Sequence, residues 1–412
     1  MITGNRFNIV RAVVLSLFVS LLSQVVAKES ALPLPIEGLE NAVLEEVAPG
    51  DYYILIEGQP LDRITGAEFP ALRNMEIKLQ NKNIREKRSD RTINALLIAM
   101  ARSADEPTLI YLHELYESYP ERRNDVAEAI SWYARENQRR DADWRIMVRS
   151  LNVVEGEQAK AVMRMLTKFH RRSNKGQWIR QAILVGLEQD AEGQQIASDL
   201  LEHWTGKKLK QLTAEKQAPI LAWQKWFAEK YPDELPAVLP VEAADSRWKY
   251  QDLQNDLRKR SKKTFDLKLG EKAFVKATCI KCHRYGKQGE KVGPDLTHVS
   301  RRLQQKEIMQ ATIFPSHFVA EEYPTFTIIT EAGKALTGMM GAAGPDQIML
   351  LTSEGTKQLI NKKDVEEIIP VKKSSMPEGL LNLLTKEEAI QLFGYLTTLP
   401  EGASEVYRHT TR

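Results

Sequence analysis

Between Ser89 and Ala228 apolar residues fall in helix-length stripes broken by short polar connections, the spacing that turns one face of each helix toward a neighbour. The stripes begin with Ala95, Leu96, Ile98, Ala99 and Met100, resume after Pro107 with Leu109, Ile110, Leu112 and Leu115, and continue with Val126, Ala129, Ile130 and Tyr133. Others run through Ile146–Leu151, Ala161–Phe169, Trp178–Leu187, Ile196–Trp204 and Ile220–Phe227. Each stripe is too narrow to be buried alone, so the helices must stack on one another. Hairpins of this length side by side predict a HEAT- or armadillo-like α-solenoid of irregular period over residues 89–230; a non-repeating bundle would carry much the same pattern. Trp132, Trp144, Trp178, Trp204, Trp223 and Trp226 stand at helical spacing in these stripes, which predicts core positions rather than a ligand box.

The flanking text has other periods. Residues 28–88 show little helical pattern, and only Asp51–Glu57, with its Tyr and Ile content, reads as a short strand. Tyr231–Pro240 carries three prolines in ten residues and marks a linker. The charged stretch Trp248–Lys263 reads as a connecting helix, so residues 231–268 join the helical region to a final domain over residues 269–400. Inside that domain Thr325–Thr330, Ala335–Gly338, Ile348–Leu351 and Gln358–Ile360 alternate like strands, with turns at residues 331–334, 344–346 and 353–356. They predict a small antiparallel sheet inserted at residues 323–370, either structural or set at the edge of a site. Thr385-Lys-Glu-Glu388 has the capping-box spacing and opens a last helix. Its face, Ile390, Phe393, Leu396 and Leu399, is expected to pack on Phe274 and Val275. Residues 401–412 form a tail.

Arg6 and Arg11, the apolar run Ala12–Leu22 and the small-residue stretch Val25-Val26-Ala27 read as a secretory signal over residues 1–27. The run is shorter than the roughly 20 residues of a spanning helix, so an uncleaved anchor is the second reading. A mature chain beginning near Lys28 is expected to be periplasmic or otherwise exported, with membrane association only through an uncleaved N-terminus. Lys and Arg number 58 against 55 Asp and Glu, which leaves no electrostatic footprint for nucleic acid.

The two cysteines of the chain stand together in Cys279-Ile-Lys-Cys282-His283. C-x-x-C-H attaches haem c: thiols three residues apart on a helical turn each add to a vinyl group, and the next residue lies under the iron. Cys279 and Cys282 are therefore the expected thioether residues and His283 the proximal iron ligand. A thioredoxin-like pair would want a βαβ context, whereas a helix precedes and a loop follows here. Zinc would need further ligands, with His298 and His317 nearest. A disulfide across two residues would be strained. His113, His170 and His203 in the helices read as core or surface residues.

From Gly270 to Leu399, roughly a third of the chain, the sequence resembles the haem-binding cytochrome c domain common in exported proteins of planctomycetes and related bacteria. That domain is a variant of the class I cytochrome c fold. The matching text is Ala273-Phe274, Gly293-Pro-Asp-Leu296, Phe314-Pro-Ser316, the Tyr323 region, Ser374-Ser-Met-Pro377 with Glu378-Gly-Leu-Leu381, and Leu392-Phe-Gly-Tyr-Leu396. The upstream helices and Pro-rich linker resemble its HEAT-type extension less specifically. The resemblance implies a mainly α chain, a helical repeat region followed by a class I cytochrome domain with a β insertion. It also implies that Pro294, eleven residues past His283, points its carbonyl at the imidazole, although a plain Gly-Pro turn fits the same text. Leu296 would pack on the haem face, and Met376 would be the sixth ligand. Met339, Met340 and Met349 compete with it but fall in sheet text; His298, His317 or an open site are the other choices.

The function expected is electron transfer by a single covalent haem c, not catalysis, with the helical region docking a redox partner such as a dehydrogenase or oxidase. A haem-based sensor with a displaceable sixth ligand and a haem-regulated helical adaptor are the alternatives. A haem peroxidase of the exported bacterial kind would need a second attachment motif, and no Ser-His-Asp set, phosphate loop or H-E-x-x-H occurs.

Overall fold

The structure, a computed structural model, describes residues 43–48, 51–56, 59–60, 73, 93–94, 96–98, 100–101, 106–133, 140–209, 219–260, 264–317, 323–353 and 355–398. The expected signal, the tail and Leu399 lie outside the described residues. The chain is mainly α with small antiparallel sheets and divides into two compact units, Met1–Ile110 and Tyr111–Arg412. No helix among the described residues is long and apolar enough to cross a membrane.

In the first unit β1 (Val43–Ala48), β2 (Asp51–Ile56) and β3 (Gln59–Pro60) form an antiparallel sheet in that order. The strand expected over Asp51–Glu57 is β2. β1 was not expected, because Glu45-Glu46 interrupts its alternation and a bulge lies between Glu46 and Ala48. Leu96, Ile98 and Met100 are helical and fully buried.

Eleven helices follow among the described residues: α1 (Glu106–Ser118), α2 (Arg123–Tyr133), α3 (Asp141–Ser150), α4 (Gly156–Leu166), α5 (Gly176–Leu187), α6 (Ala191–Thr205), α7 (Pro219–Lys230), α8 (Tyr250–Lys259), α9 (Leu267–Lys276), α10 (Gln305–Ile313) and α11 (Lys386–Leu396). From α2 to α7 each packs on its chain neighbour or on the next helix but one: α2 on α3 and α4, α4 on α6, α5 on α6 and α7. Polar cross-links repeat at a nearly constant step. His113 and Asp143, Lys160 and Asp190, Arg171 and Asp141, and Gln181 and the Leu151 carbonyl all join residues 30 apart. Ser150 to Tyr116 and His203 to the Phe169 carbonyl join residues 34 apart. These bonds tie each stretch of the helical region to the one about 30 residues further along. Of the tryptophans, Trp144, Trp204 and Trp223 are buried as expected, whereas Trp132, Trp178 and Trp226 are only half-buried; Ile110 is 49% exposed.

The Pro-rich segment 231–240 holds neither helix nor strand. It is nonetheless tied down, by Arg180 Nε to the Pro236 carbonyl at 3.0 Å and Gln224 Nε2 to the Ala237 carbonyl at 2.7 Å. The expected helix over Trp248–Lys263 is the shorter α8.

α9 and α11 cross at the centre of the last region, and their burial closes one core that includes Phe274, Tyr285, Val299, Met309, Ile390 and Phe393. Asp266 caps α9, its carboxylate accepting the Leu269 N–H at 3.0 Å. Thr385 and Glu388 form the expected capping box at α11. Ile390, Phe393 and Leu396 pack inward as expected, but Val275 is 47% exposed and does not join them. One position from Phe274 turns a helical side chain through about 100°, so the two cannot share that face.

The inserted sheet has five strands rather than four: β6 (Thr325–Thr330), β7 (Ala335–Ala342), β8 (Gln347–Leu351), β9 (Lys357–Asn361) and β10 (Val365–Val371), in the order β10-β6-β7-β8-β9. β10 shows no alternation of burial, since it is an edge strand exposed at Glu366 through Pro370. Pro370 is tolerated because an edge position spares one row of N–H groups. A further two-stranded ribbon, β4 (Arg284–Tyr285) and β5 (Gln288–Gly289), belongs to the site below.

Candidate functional site

The segment Thr278–Leu296 is a turn, a tight ribbon and an irregular returning stretch stitched onto the turn. After α9, Thr278 takes φ +60°, the one positive φ outside glycine among the described residues. Such a conformation costs about 1–3 kcal/mol and persists only where the surroundings impose it. A single 3-10 turn, Cys279–Lys281, follows, with Cys282 N on the Cys279 carbonyl at 3.2 Å and His283 N on the same carbonyl at 2.9 Å. Two thiols and an imidazole are thereby presented on one turn. The cysteines are free and half-buried. Burial pushes the Cys279 thiol up to about 12 and also raises Cys282, the reverse of a redox-active C-x-x-C, whose nucleophilic thiol is lowered.

Gly289 allows the ribbon to close. Its φ is +90°, and a Cβ there would stand 2.1 Å from the His283 carbonyl oxygen. Behind it, Glu290 N donates to the Ile280 carbonyl at 3.1 Å, Gly293 N to the Cys282 carbonyl at 2.8 Å and Leu296 N to the Arg284 carbonyl at 2.8 Å. Gly293 lies flat on the imidazole: a Cβ would fall 2.9 Å from Cε1 and 3.1 Å from Nδ1. The Pro294 carbonyl is 2.8 Å from His283 Nδ1. A carbonyl only accepts, so Nδ1 carries the proton and Nε2 keeps its lone pair. Burial lowers the imidazole pKa against the opposing pull of that bond. Leu296 and Cys279, both half-buried, pack on the Phe274 core.

Met376 lies on a loop held at the base of the inserted sheet. Thr325 and Val371, the first and last residues of the sheet, are paired, so the insertion leaves and rejoins the chain at one place. Ser316 Oγ accepts the Ser374 N–H at 3.3 Å, Ser375 Oγ lies 2.9 Å from Thr325 Oγ1, and Ser374 Oγ accepts the Met376 N–H at 3.1 Å. The Phe314-Pro-Ser316 and Ser374-Ser-Met-Pro377 motifs thus meet across the base of the sheet. Met339 and Met340 lie in β7 and Met349 in β8. The His317 ring faces Arg180 Nη2 at 3.3 Å; burial and that guanidinium lower its pKa to about 4. His298 is exposed. Among the described residues no three His, Cys, Asp or Glu side chains gather to hold a metal ion.

Two contributors carry no motif. Gly289 belongs to a Gly-x-x-Gly spacing that signals a tight ribbon only once its partner is known. The β8–β9 connection reaches the Cys279–Lys281 turn: Gly355 sits where a Cβ would be 3.3 Å from Lys281 Cβ, and Lys357 Nζ pairs with Glu290 Oε2 at 2.8 Å.

No protein-family model and no curated protein matches the chain. The donor set therefore stands on its own chemistry. Two protonated thiols three residues apart, an imidazole with Nε2 as its free lone pair, and a glycine that leaves the ring face uncrowded fit a covalently held haem c.

Proposed function

We propose that the chain is an exported single-haem c-type cytochrome that carries electrons, its helical region acting as a scaffold that docks a redox partner such as a dehydrogenase or oxidase. The observation that carries this reading is His283, on the C-x-x-C-H turn, held through Nδ1 by the Pro294 carbonyl at 2.8 Å. Cys279 and Cys282 would hold the haem c as thioethers, His283 would be the proximal ligand and Met376 the sixth. The bound iron supplies one-electron redox chemistry. The chain's own residues do the rest. Pro294 fixes the tautomer and makes Nε2 the stronger donor, Gly293 leaves the ring room to sit, and Leu296 keeps the surroundings apolar. The α9–α11 crossing and the order of motifs support a class I cytochrome domain. The cross-links at steps of 30 and 34 residues support a HEAT-like array.

Mass spectrometry of the matured, exported protein tests the reading. The peptide Thr278–Arg284 is expected to carry a porphyrin, and recovery of that peptide with both thiols unmodified would overturn it. Met376→Ala is expected to abolish the long-wavelength sulfur-to-iron charge-transfer band of the ferric protein. It should also lower the reduction potential by a sizeable part of the roughly 0.8 V over which axial ligands act. A band that survives assigns the sixth position to another residue.

A further inference from the structure

Outside the histidine turn, a cleft of about 380 Å³ opens between the helical array and the C-terminal region, a volume within the range of small-molecule sites. It is walled by the α3–α4 turn, the end of α5, and facing residues of α8 and α10. Its two close-set cations are already committed. Lys306 Nζ lies 2.8 Å from Glu155 Oε1 and Arg258 Nη2 lies 3.0 Å from Glu155 Oε2. An anionic ligand would have to break those pairs. Across the cleft the carboxylate of Glu188, an exposed residue, has no hydrogen-bond partner among the described residues, and partial desolvation with nearby Glu155 raises its pKa against the pull of Lys306. The side-chain amides of Asn152, Gln189 and Gln310 also line it without a partner. An amide offers donors and an acceptor side by side, the pairing that a hydroxyl group satisfies in both directions.

The charges of Glu155 and Glu188 balance those of Lys306 and Arg258, and His317 at the rim is neutral near pH 7. A cationic ligand therefore gains little over a neutral one. Tyr250 and Leu239 supply apolar surface on which C–H faces can rest. We propose that this cleft binds a neutral, hydroxyl-rich molecule of mono- or disaccharide size, through the free amides and Glu188. The site is independent of the haem reading, since none of its lining residues lies in the Cys279–Leu296 segment.

Titration calorimetry of the full mature chain with glucose, maltose and cellobiose tests this, with putrescine and citrate as charged controls. At least one saccharide is expected to bind saturably with a dissociation constant of about 1 mM or less. Glu188→Leu or Gln310→Leu should weaken it about tenfold or more, with unchanged thermal melts, because the hydroxyl partners are lost. The proposal is overturned if no saccharide binds at roughly 10 mM, if putrescine or citrate binds more tightly, or if neither variant weakens the saccharide.

Discussion

A chain carrying Cys279→Ala together with Cys282→Ala, exported alongside the haem-attachment machinery, is expected to hold no haem that survives denaturation. A gel stained for haem peroxidase activity would show the wild-type band and none for the variant. The loss is complete because the thioether bonds are the only covalent tie the proposed arrangement offers; His283 alone leaves a reversible iron–nitrogen bond. The helices should remain. Cys279 packs at the margin of the Phe274 core, half-exposed, while the α9–α11 contact and the cross-links of the array use no sulfur. Far-ultraviolet circular dichroism would therefore separate a haem effect from a folding failure. Haem staining that persists at wild-type strength in the double variant would sink the attachment assignment, whatever the peptide masses show.

What the sequence reveals of this site follows how local the causes are. Cys279, Cys282 and His283 lie within five residues, and Pro294 is tied to His283 across a short ribbon, so their types and spacing carry the chemistry. The helical stripes and four of the inserted strands are legible for the same reason, because a period of burial is written along one element. β10 is not, since an edge strand needs no buried face and even admits Pro370. Nor is the tie between the helical array and the last region. Gln304 Nε2 reaches the Pro120 carbonyl at 2.7 Å across 184 residues, and nothing in either residue's surroundings announces the other. The approach of Gly355 to Lys281 is invisible in the same way. A glycine's reason lies in the atom it makes room for, and that atom belongs to another element.

Gly270 shows how much such a contact is worth. It stands on α9 where a Cβ would be 2.4 Å from the Gln391 carbonyl oxygen and 2.5 Å from Tyr395 Cβ, both on α11. Neither can swing away, since one is backbone and the other is the root of a side chain. A methyl group must push the two helices apart and loosen the packing of Phe274 and Phe393, each 1% exposed or less. Gly270→Ala is therefore expected to destabilise this region by about 3 kcal/mol, the upper end of overpacking costs, and Gly270→Val by more. Gly186 in the array makes a useful contrast: no backbone atom is among its nearest neighbours, and although the Ala197 methyl at 2.7 Å is fixed, the end of the Ile220 side chain at 2.9 Å can turn away. Gly186→Ala should cost less and leave α9 and α11 untouched. Native-state hydrogen exchange at the amides of α9 and α11 measures the effect where it arises. If Gly270→Ala changes their opening free energy by less than about 1 kcal/mol, the helices do not cross at this point. The core that carries the Cys279–Lys281 turn would then have to close in some other way.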